Sequence, residues 1–94
     1  GIVLPVVAVK KDSCQPLAEP EIYSRGFVYV QESGAILEAI RQEAKDTIED
    51  VCKSGTNDPE KLYEQLRSRL GGFIERTTGR RPLILPSIIP VEKR

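Results

Sequence analysis

Three prolines in the last apolar segment constrain the fold more than any other feature of the sequence. The segment covers residues 82–91, and its prolines stand at positions 82, 86 and 90, all of the same parity. In a strand, residues of one parity direct their backbone N–H groups toward the same edge. The three missing donors then share one edge, and the other edge can pair normally. We therefore predict that this segment is the edge strand of a sheet.

Two strands are expected ahead of any helix. Residues 2–9 are rich in β-branched side chains and lead into a turn, which predicts a strand followed by a hairpin. Residues 17–23 predict a weaker second strand that Pro20 interrupts, and residues 24–26 predict a turn. Residues 27–30 show a short alternation before the first helix.

The first strand is apolar on both of its faces. One parity carries Val3, Val7 and Val9, and the other carries Leu4, Val6 and Ala8. Two helices on one side of a small sheet cannot cover both of its faces. The other face is therefore predicted to stay open as a candidate interface.

Two helices are predicted in the middle of the chain. Ser33 has the residue type of an N-cap. The apolar positions after it recur at helical spacing, at Ile36, Leu37, Ile40, Ala44, Ile48, Val51 and Cys52. Asp58 and Pro59 favour the start of a second helix, and Gly79 favours its end.

The second helix is predicted to continue through Gly71 and Gly72. Each glycine costs about 1 kcal/mol relative to alanine in a helix interior, yet the apolar stripe runs past both. That stripe is expected to be Leu62, Leu66, Leu70, Phe73 and Thr77. The resulting order, β-β-α-α-β, predicts an α+β fold: a small three-stranded sheet with two α-helices packed on one face. Residues 1–94 are expected to form a single domain.

The charges balance overall, but their distribution is uneven. The chain has 14 basic and 14 acidic residues, which argues against a strongly basic nucleic-acid module. Most charges from Arg76 onward are nevertheless basic. Arg80 and Arg81 stand between the second helix and the last strand. Two adjacent, permanently charged guanidiniums favour an anionic neighbour: a carboxylate of the same domain, a partner surface or a phosphate.

Three arginines are the candidate contacts with another protein surface or with RNA: Arg25, Arg80 and Arg81. For Arg25, the alternative is a turn arginine that pairs with Glu21 or Glu32. For Arg80 and Arg81, the alternative is local pairing together with a favourable interaction with the helix C-terminus.

Catalysis by this chain is not expected, because it contains no histidine. This removes the commonest general base and metal ligand, and no nucleophile–base arrangement remains. Cys14 and Cys52 lie far apart in the sequence without other metal-ligand residues near them. We expect them to be free thiols in a reducing cytoplasm rather than a zinc site or a disulfide. No catalytic, cofactor-binding or metal-binding residue is assigned.

The sequence shows no membrane-spanning run and no signal peptide. No apolar run approaches the roughly 20 residues that span a membrane, and residues 2–9 lack the basic start and cleavage site of a signal peptide. Since the chain starts at an apolar strand without an initiator methionine, we expect it to be a fragment of a longer protein.

Two blocks of the sequence resemble the C-terminal domain of bacterial ribonuclease J. The first is PEIYSRGFVYVQES at residues 20–33, and the second is TTGRRPLILP at residues 77–86, with the two predicted helices between them. The resemblance covers nearly the whole chain. Its specificity comes from two long blocks in the right order and at the right separation.

The resemblance implies a non-catalytic α/β module on a linker that supports oligomer assembly and, through it, full activity. The parent is then a metallo-β-lactamase-fold nuclease with an inserted β-CASP domain. Such enzymes degrade and process RNA by 5′-to-3′ exonuclease and endonuclease activity. Zinc is expected in the parent's catalytic domain, on histidines and aspartates whose motifs are absent here.

Two functions follow from these observations. The first is an assembly domain whose open sheet face and arginine edge contact its own catalytic core or a second subunit. The second is an RNA-binding accessory module that uses Arg25, Arg80 and Arg81 together with Lys93 and Arg94. An autonomous enzyme is disfavoured, as is a membrane contact, and the expected location is the cytoplasm.

Overall fold

The computed structural model describes residues 1–26 and 33–92 of the chain. The alternating residues 27–30 lie outside this described part. The elements in chain order are β1 (Ile2–Lys10), β2 (Glu21–Arg25), α1 (Ser33–Lys53), α2 (Pro59–Thr78), β3 (Leu83–Ile84) and β4 (Ser87–Val91).

Strand β1 is the centre of a mixed sheet. On one side it pairs antiparallel with β2, from Ile2 opposite Arg25 to Val6 opposite Glu21. On its other side it pairs in parallel with β3 at Ile2 and with β4 from Val6 onward. The predicted last strand is therefore interrupted: four strands fill three positions across the sheet. The predicted α+β fold, with both helices on one sheet face, is confirmed.

The parity of the prolines has the predicted consequence. Leu83 and Leu85 donate their N–H groups to the carbonyls of Gly1 and Val3, at 2.9 Å each. Odd-numbered residues of this segment therefore direct their donors toward β1. The prolines occupy even positions, so their missing donors face the outer edge, which no other described strand pairs.

The second strand lies further along the chain than predicted. A single bridge between Val9 and Pro16 follows the hairpin, and regular pairing starts only at Glu21. Pro16 and Pro20 each lack an N–H donor, which explains why the ladder forms after them. The turn predicted at residues 24–26 is also wrong for its first two residues. Ser24 and Arg25 pair with β1, and only Gly26, at a φ of 66°, leaves the strand.

The second helix begins and ends where its sequence predicts. The Asp58 carboxylate accepts a hydrogen bond from the Glu60 N–H at 3.0 Å, and proline occupies the first turn. Gly79 has a φ of 75°, and its N–H donates to the Glu75 carbonyl at 2.8 Å. For α1, the first residue is Ser33; the N-cap contact of its side chain stays a prediction.

The core lies between the helices and one face of the sheet. Its fully buried side chains include Val3, Val7, Ile40, Ala44, Ile48, Leu62, Leu66, Leu70 and Ile74. The predicted stripe of α2 is correct as far as Leu70, but Thr77 is exposed and Phe73 only half-buried. The four-residue spacing continues instead to Ile74, which is 1% exposed. Arg69 of α2 also joins the two helices through ion pairs with Glu43 and Asp50.

The two cysteines contradict the expectation of free thiols. The structure links Cys14 and Cys52 in a disulfide, with their Cα atoms 5.6 Å apart. The turn after β1 places Cys14 against the last turn of α1, although the two residues are 38 positions apart. Tertiary packing brings them together, and their spacing in the sequence carries no sign of it.

Candidate interface on the open sheet face

The sheet face opposite the helices is apolar and uncovered. We call it the open face: Ile2, Leu4, Val6 and Ala8 of β1, Tyr23 of β2, and Leu83, Leu85, Ile89 and Val91 of the last segment. Its exposed large side chains range from 36% for Leu4 to 58% for Leu83. All the exposed large hydrophobic side chains of the described residues belong to this face. A continuous patch of this kind marks an interaction surface, whereas scattered apolar side chains do not.

The alternation of the strands produces this face. Along β1, Val3, Pro5, Val7 and Val9 are buried beneath the helices, while the residues between them point the other way. The β1 register aligns even positions of β1 with odd positions of the other strands. Apolar side chains of three neighbouring strand positions therefore adjoin one another, and the predicted open face is present.

The border of the open face at β2 is polar. Tyr23 donates its hydroxyl hydrogen bond to Glu21, at 3.1 Å between Oη and Oε2. This hydrogen bond, reinforced by the negative charge of Glu21, raises the pKa of Tyr23 above its ordinary value. Glu21 and Arg25 lie on either side of Tyr23 on the same face. The border thus carries the acidic Glu21 and the basic Arg25, each two positions along the strand from the Tyr23 ring.

The sheet brings the three predicted arginines to one end. Arg25 lies opposite Ile2, which in turn lies opposite Leu83. Arg80 and Arg81 directly precede that last strand. Along the sequence, both helices lie between Arg25 and the adjacent residues Arg80 and Arg81. In the fold, all three lie at the end of the sheet where β1 begins.

The local ion pairing expected for these arginines forms at Arg81 but not at Arg25 within the described residues. Arg81 forms a local ion pair with Glu75, with 3.3 Å between Nη1 and Oε1, and both side chains are 55% exposed. The backbone N–H of Arg80 donates to the Thr78 hydroxyl at 3.1 Å. Within residues 1–26 and 33–92, Arg25 has no ion pair, so the expected pairing with Glu21 does not form. Glu32 lies outside the described residues.

A cleft between α2 and the start of the last segment contains a further basic residue. Its volume is about 520 Å³, and Arg67 and Arg81 line it together with Tyr63, Ser68 and Gly71. Gly71 permits the closeness of Arg81: a Cβ there would lie 3.2 Å from an Arg81 guanidinium nitrogen. Sequence reasoning missed Arg67. The unusual glycine in the helix was the one available signal of this cleft.

The described residues contain no group of three or more His, Cys, Asp or Glu side chains placed to hold a metal ion. Since the whole chain also lacks histidine, its donor set does not fit the zinc site expected in the parent. Neither described helix is long and apolar enough to cross a membrane.

Comparison with known proteins identifies the family. Residues 1–91 match the family model of the ribonuclease J C-terminal domain. Ribonuclease J of Mycobacterium tuberculosis is 31% identical over 91 residues, and ribonuclease J 2 of Staphylococcus saprophyticus is 32% identical over 88 residues. Ribonuclease J2 of Bacillus subtilis is 29% identical over 91 residues.

These matches cover 94–97% of this chain but only 16% of each relative. The similarity is therefore to one part of a much longer protein, and it extends through both blocks that carried the resemblance in the sequence. With its fold and its match over residues 1–91, the chain belongs to the ribonuclease J C-terminal domain family.

Proposed function

We propose that this chain is the non-catalytic assembly domain of a ribonuclease J-like enzyme, in which the open face packs against a second subunit or the enzyme's own catalytic core. The observation that carries the proposal is the open face itself. A small domain that leaves Leu83, Tyr23 and Ile89 about half exposed on one surface gains free energy when another surface covers them.

The family match supports a proposal for the chemistry of the parent. The parent is a metal-dependent ribonuclease that processes and degrades RNA in the cytoplasm, by exonuclease and endonuclease activity. Zinc supplies the Lewis acid in its catalytic domain. This chain holds none of that zinc, and its role is to place catalytic subunits relative to one another.

The assembly role is tested in the full-length enzyme. Deletion of this domain, which is residues 1–94 in the present numbering, is expected to lower the oligomeric state in analytical ultracentrifugation. It is also expected to lower the rate of RNA degradation. A point variant separates the open face from the rest of the domain. Leu83→Asp places a charge at the most exposed large side chain of the apolar patch and should reproduce the deletion.

Gln65→Asp is the matched control, because Gln65 is an exposed residue of α2 on the helical side. It should leave assembly and activity as they are. Unchanged oligomeric state and activity in both the deletion and Leu83→Asp would refute the assembly role.

RNA binding is the second candidate, and the cleft of Arg67 and Arg81 is the observation that favours it. Two guanidiniums beside the hydroxyls of Tyr63 and Ser68 present donors that suit a phosphate, whereas the Glu64 carboxylate in the same lining disfavours one. The zero net charge of the chain counts against a strong electrostatic contribution.

Fluorescence anisotropy with a labelled single-stranded oligoribonucleotide tests this candidate. Binding should weaken as salt rises, and Arg67→Ala should reduce the slope of log K against log salt. Absence of binding at low salt removes the candidate.

A further inference from the structure

The sheet has one edge that can accept another strand. Leu17 donates its N–H to Ala8, and Lys10 donates to Gln15, so even-numbered residues of β1 direct their backbone groups to the β2 side. Their partners in β2 are the odd residues. The backbone N–H and C=O groups of Ile22 and Ser24 therefore point away from β1, toward an edge that no described strand occupies.

The opposite edge is blocked. At Pro82, Pro86 and Pro90 the backbone nitrogen faces the outer side of β3 and β4 and carries no hydrogen to donate. An added strand there would find no N–H at those positions. Of the two sheet edges in the described structure, only the β2 edge presents both donors and acceptors at successive outward positions.

The sequence of β2 is complementary to its own antiparallel copy. Its residues read Glu21-Ile22-Tyr23-Ser24-Arg25. A two-fold axis through Tyr23 places Ile22 opposite Ser24 of a second copy, so the outward groups exchange hydrogen bonds in both directions. The same register places Glu21 opposite Arg25 of the second copy, twice, on the open face.

Other registers lose this match. Moving the axis to Ile22 places Glu21 opposite Tyr23 of the second copy, and moving it to Ser24 places Tyr23 opposite Arg25. The axis at Tyr23 is therefore the register in which both charged pairs are opposite in sign. It also gives Arg25 the carboxylate that it lacks within the described residues of a single chain.

We propose that two copies of this chain associate through their β2 edges, antiparallel about Tyr23, and form one continuous sheet. This inference rests on the proposed assembly role and adds a contact between two copies at the β2 edge, separate from the packing of the open face. The open faces of the two copies then lie side by side and form one larger apolar surface. Such an interface is isologous, because each copy contributes the same strand.

Charge reversal tests the register in the 94-residue chain. Glu21→Arg places two guanidiniums opposite each other at each charged pair, and Arg25→Glu places two carboxylates opposite each other. Each variant alone should therefore dimerise at least about tenfold more weakly in sedimentation equilibrium, since like charges directly opposite are destabilising. An equimolar mixture of the two variants restores opposite charges at both pairs. It should recover dimerisation close to that of the unmodified chain.

The mixture also controls for folding, since misfolded variants would not recover. Lys10→Glu changes a charge at the far end of β1 on the same face and should leave the dimer constant unchanged. The proposal is overturned if the single variants dimerise as well as the unmodified chain, or if the mixture stays as weak as its components.

A cross-link provides a second measurement. In the proposed register Tyr23 and its copy form a non-hydrogen-bonded pair, whose Cα atoms are about 4.5 Å apart and within disulfide range. Tyr23→Cys should form an intermolecular disulfide under mild oxidation. Ser24→Cys should not, because its copy lies two residues away along the paired strand.

Failure of the edge pairing can be told apart from failure of the assembly role. If the unmodified chain is monomeric at every concentration tested, or if the Tyr23→Cys variant does not cross-link, the β2 pairing is wrong. The assembly role itself stands or falls on the deletion and on Leu83→Asp in the full-length enzyme.

Discussion

Gly71 shows how a single residue can make room for a neighbouring side chain. Within a helix it is unfavourable, yet its missing Cβ lets the Arg81 guanidinium lie across α2 beside Glu75. The nearest atoms to an added Cβ are all at the flexible end of Arg81. The glycine therefore gives the Arg81 side chain room to approach the helix, and no special backbone conformation requires it.

Gly71→Ala is expected to stabilise the domain by about 0.5–1 kcal/mol, since Arg81 can shift outward and the helix gains an alanine. Gly72→Ala should do the same, because its new Cβ would meet only the end of Arg76. Urea denaturation measures both. In an Arg81→Ala background the Gly71→Ala gain should be larger than in the unmodified chain. An equal gain in the two backgrounds would show that Arg81 does not press on this position.

Tyr23 reports the state of the β2 border through its ionisation. Its hydrogen bond to Glu21 raises the pKa of Tyr23, so the neutral phenol is favoured in the folded chain. The sign follows: this contribution to stability is complete below the ordinary pKa of 10.0 and is lost as the pH rises through the raised value.

Absorbance titration of the tyrosines should therefore include one that ionises late. Glu21→Gln is expected to bring this tyrosine back toward its ordinary pKa, and Tyr23→Phe should remove it from the curve. A titration that is identical in the unmodified chain and in Glu21→Gln would contradict the hydrogen bond.

At the scale of elements, the caps of α2 and the interrupted last strand organise the fold. Asp58 and Gly79 close the helix at both ends. Immediately after Gly79 the chain has only residues 80–82 before it reaches β3. The left-handed conformation at Gly79 therefore aims the last segment at β1 as well as ending the helix.

Gly79→Ala is expected to destabilise the domain by about 1 kcal/mol, because a Cβ is strained at a φ of 75°. Gly79→Asn should cost less, since asparagine tolerates this conformation better. Thermal unfolding followed by circular dichroism measures both. Equal losses for alanine and asparagine would indicate a steric conflict rather than a backbone effect, although no atom lies within 4 Å of a Cβ at this position.

Local rules predicted where the helices and strands lie along the chain better than which residues contact one another across the fold. The capping residues of α2 and the proline parity act over a few residues, and both had the expected result; the predicted helical stripe of α2 was correct as far as Leu70. Thr77 was misplaced because an equally regular four-residue spacing led to Ile74. Arg25 was misplaced because its pairing with Ile2 depends on a strand more than twenty residues away.

At the scale of the whole molecule, the disulfide joins the turn after β1 to the end of α1. A link between residues 38 positions apart restricts the unfolded chain and is expected to contribute about 2–4 kcal/mol. A disulfide persists in an oxidising compartment, whereas thiols are kept reduced in the cytosol, which is the location expected for the parent. The redox state of the pair is therefore informative about where the parent works.

Alkylation under denaturing conditions, which expose the buried Cys14 thiol, should label both Cys14 and Cys52 from cells if the parent is cytoplasmic, and neither in the oxidised purified chain. Urea denaturation with and without reductant should show the expected loss of stability. A Cys14→Ser/Cys52→Ser variant is the control and should be insensitive to reductant. A disulfide that remains closed in freshly lysed cells would contradict the cytoplasmic location.

The parallel pairing of β1 with β3 and β4 has a consequence for synthesis of the protein. Residues 2–10 leave the ribosome well before their partners at 83–91, which are made about eighty positions later. During that interval one edge of a strongly apolar strand has no partner, and strands in this condition favour aggregation. The nascent chain thus depends on early collapse of the helices onto Val3 and Val7, or on a chaperone, until the last strand emerges.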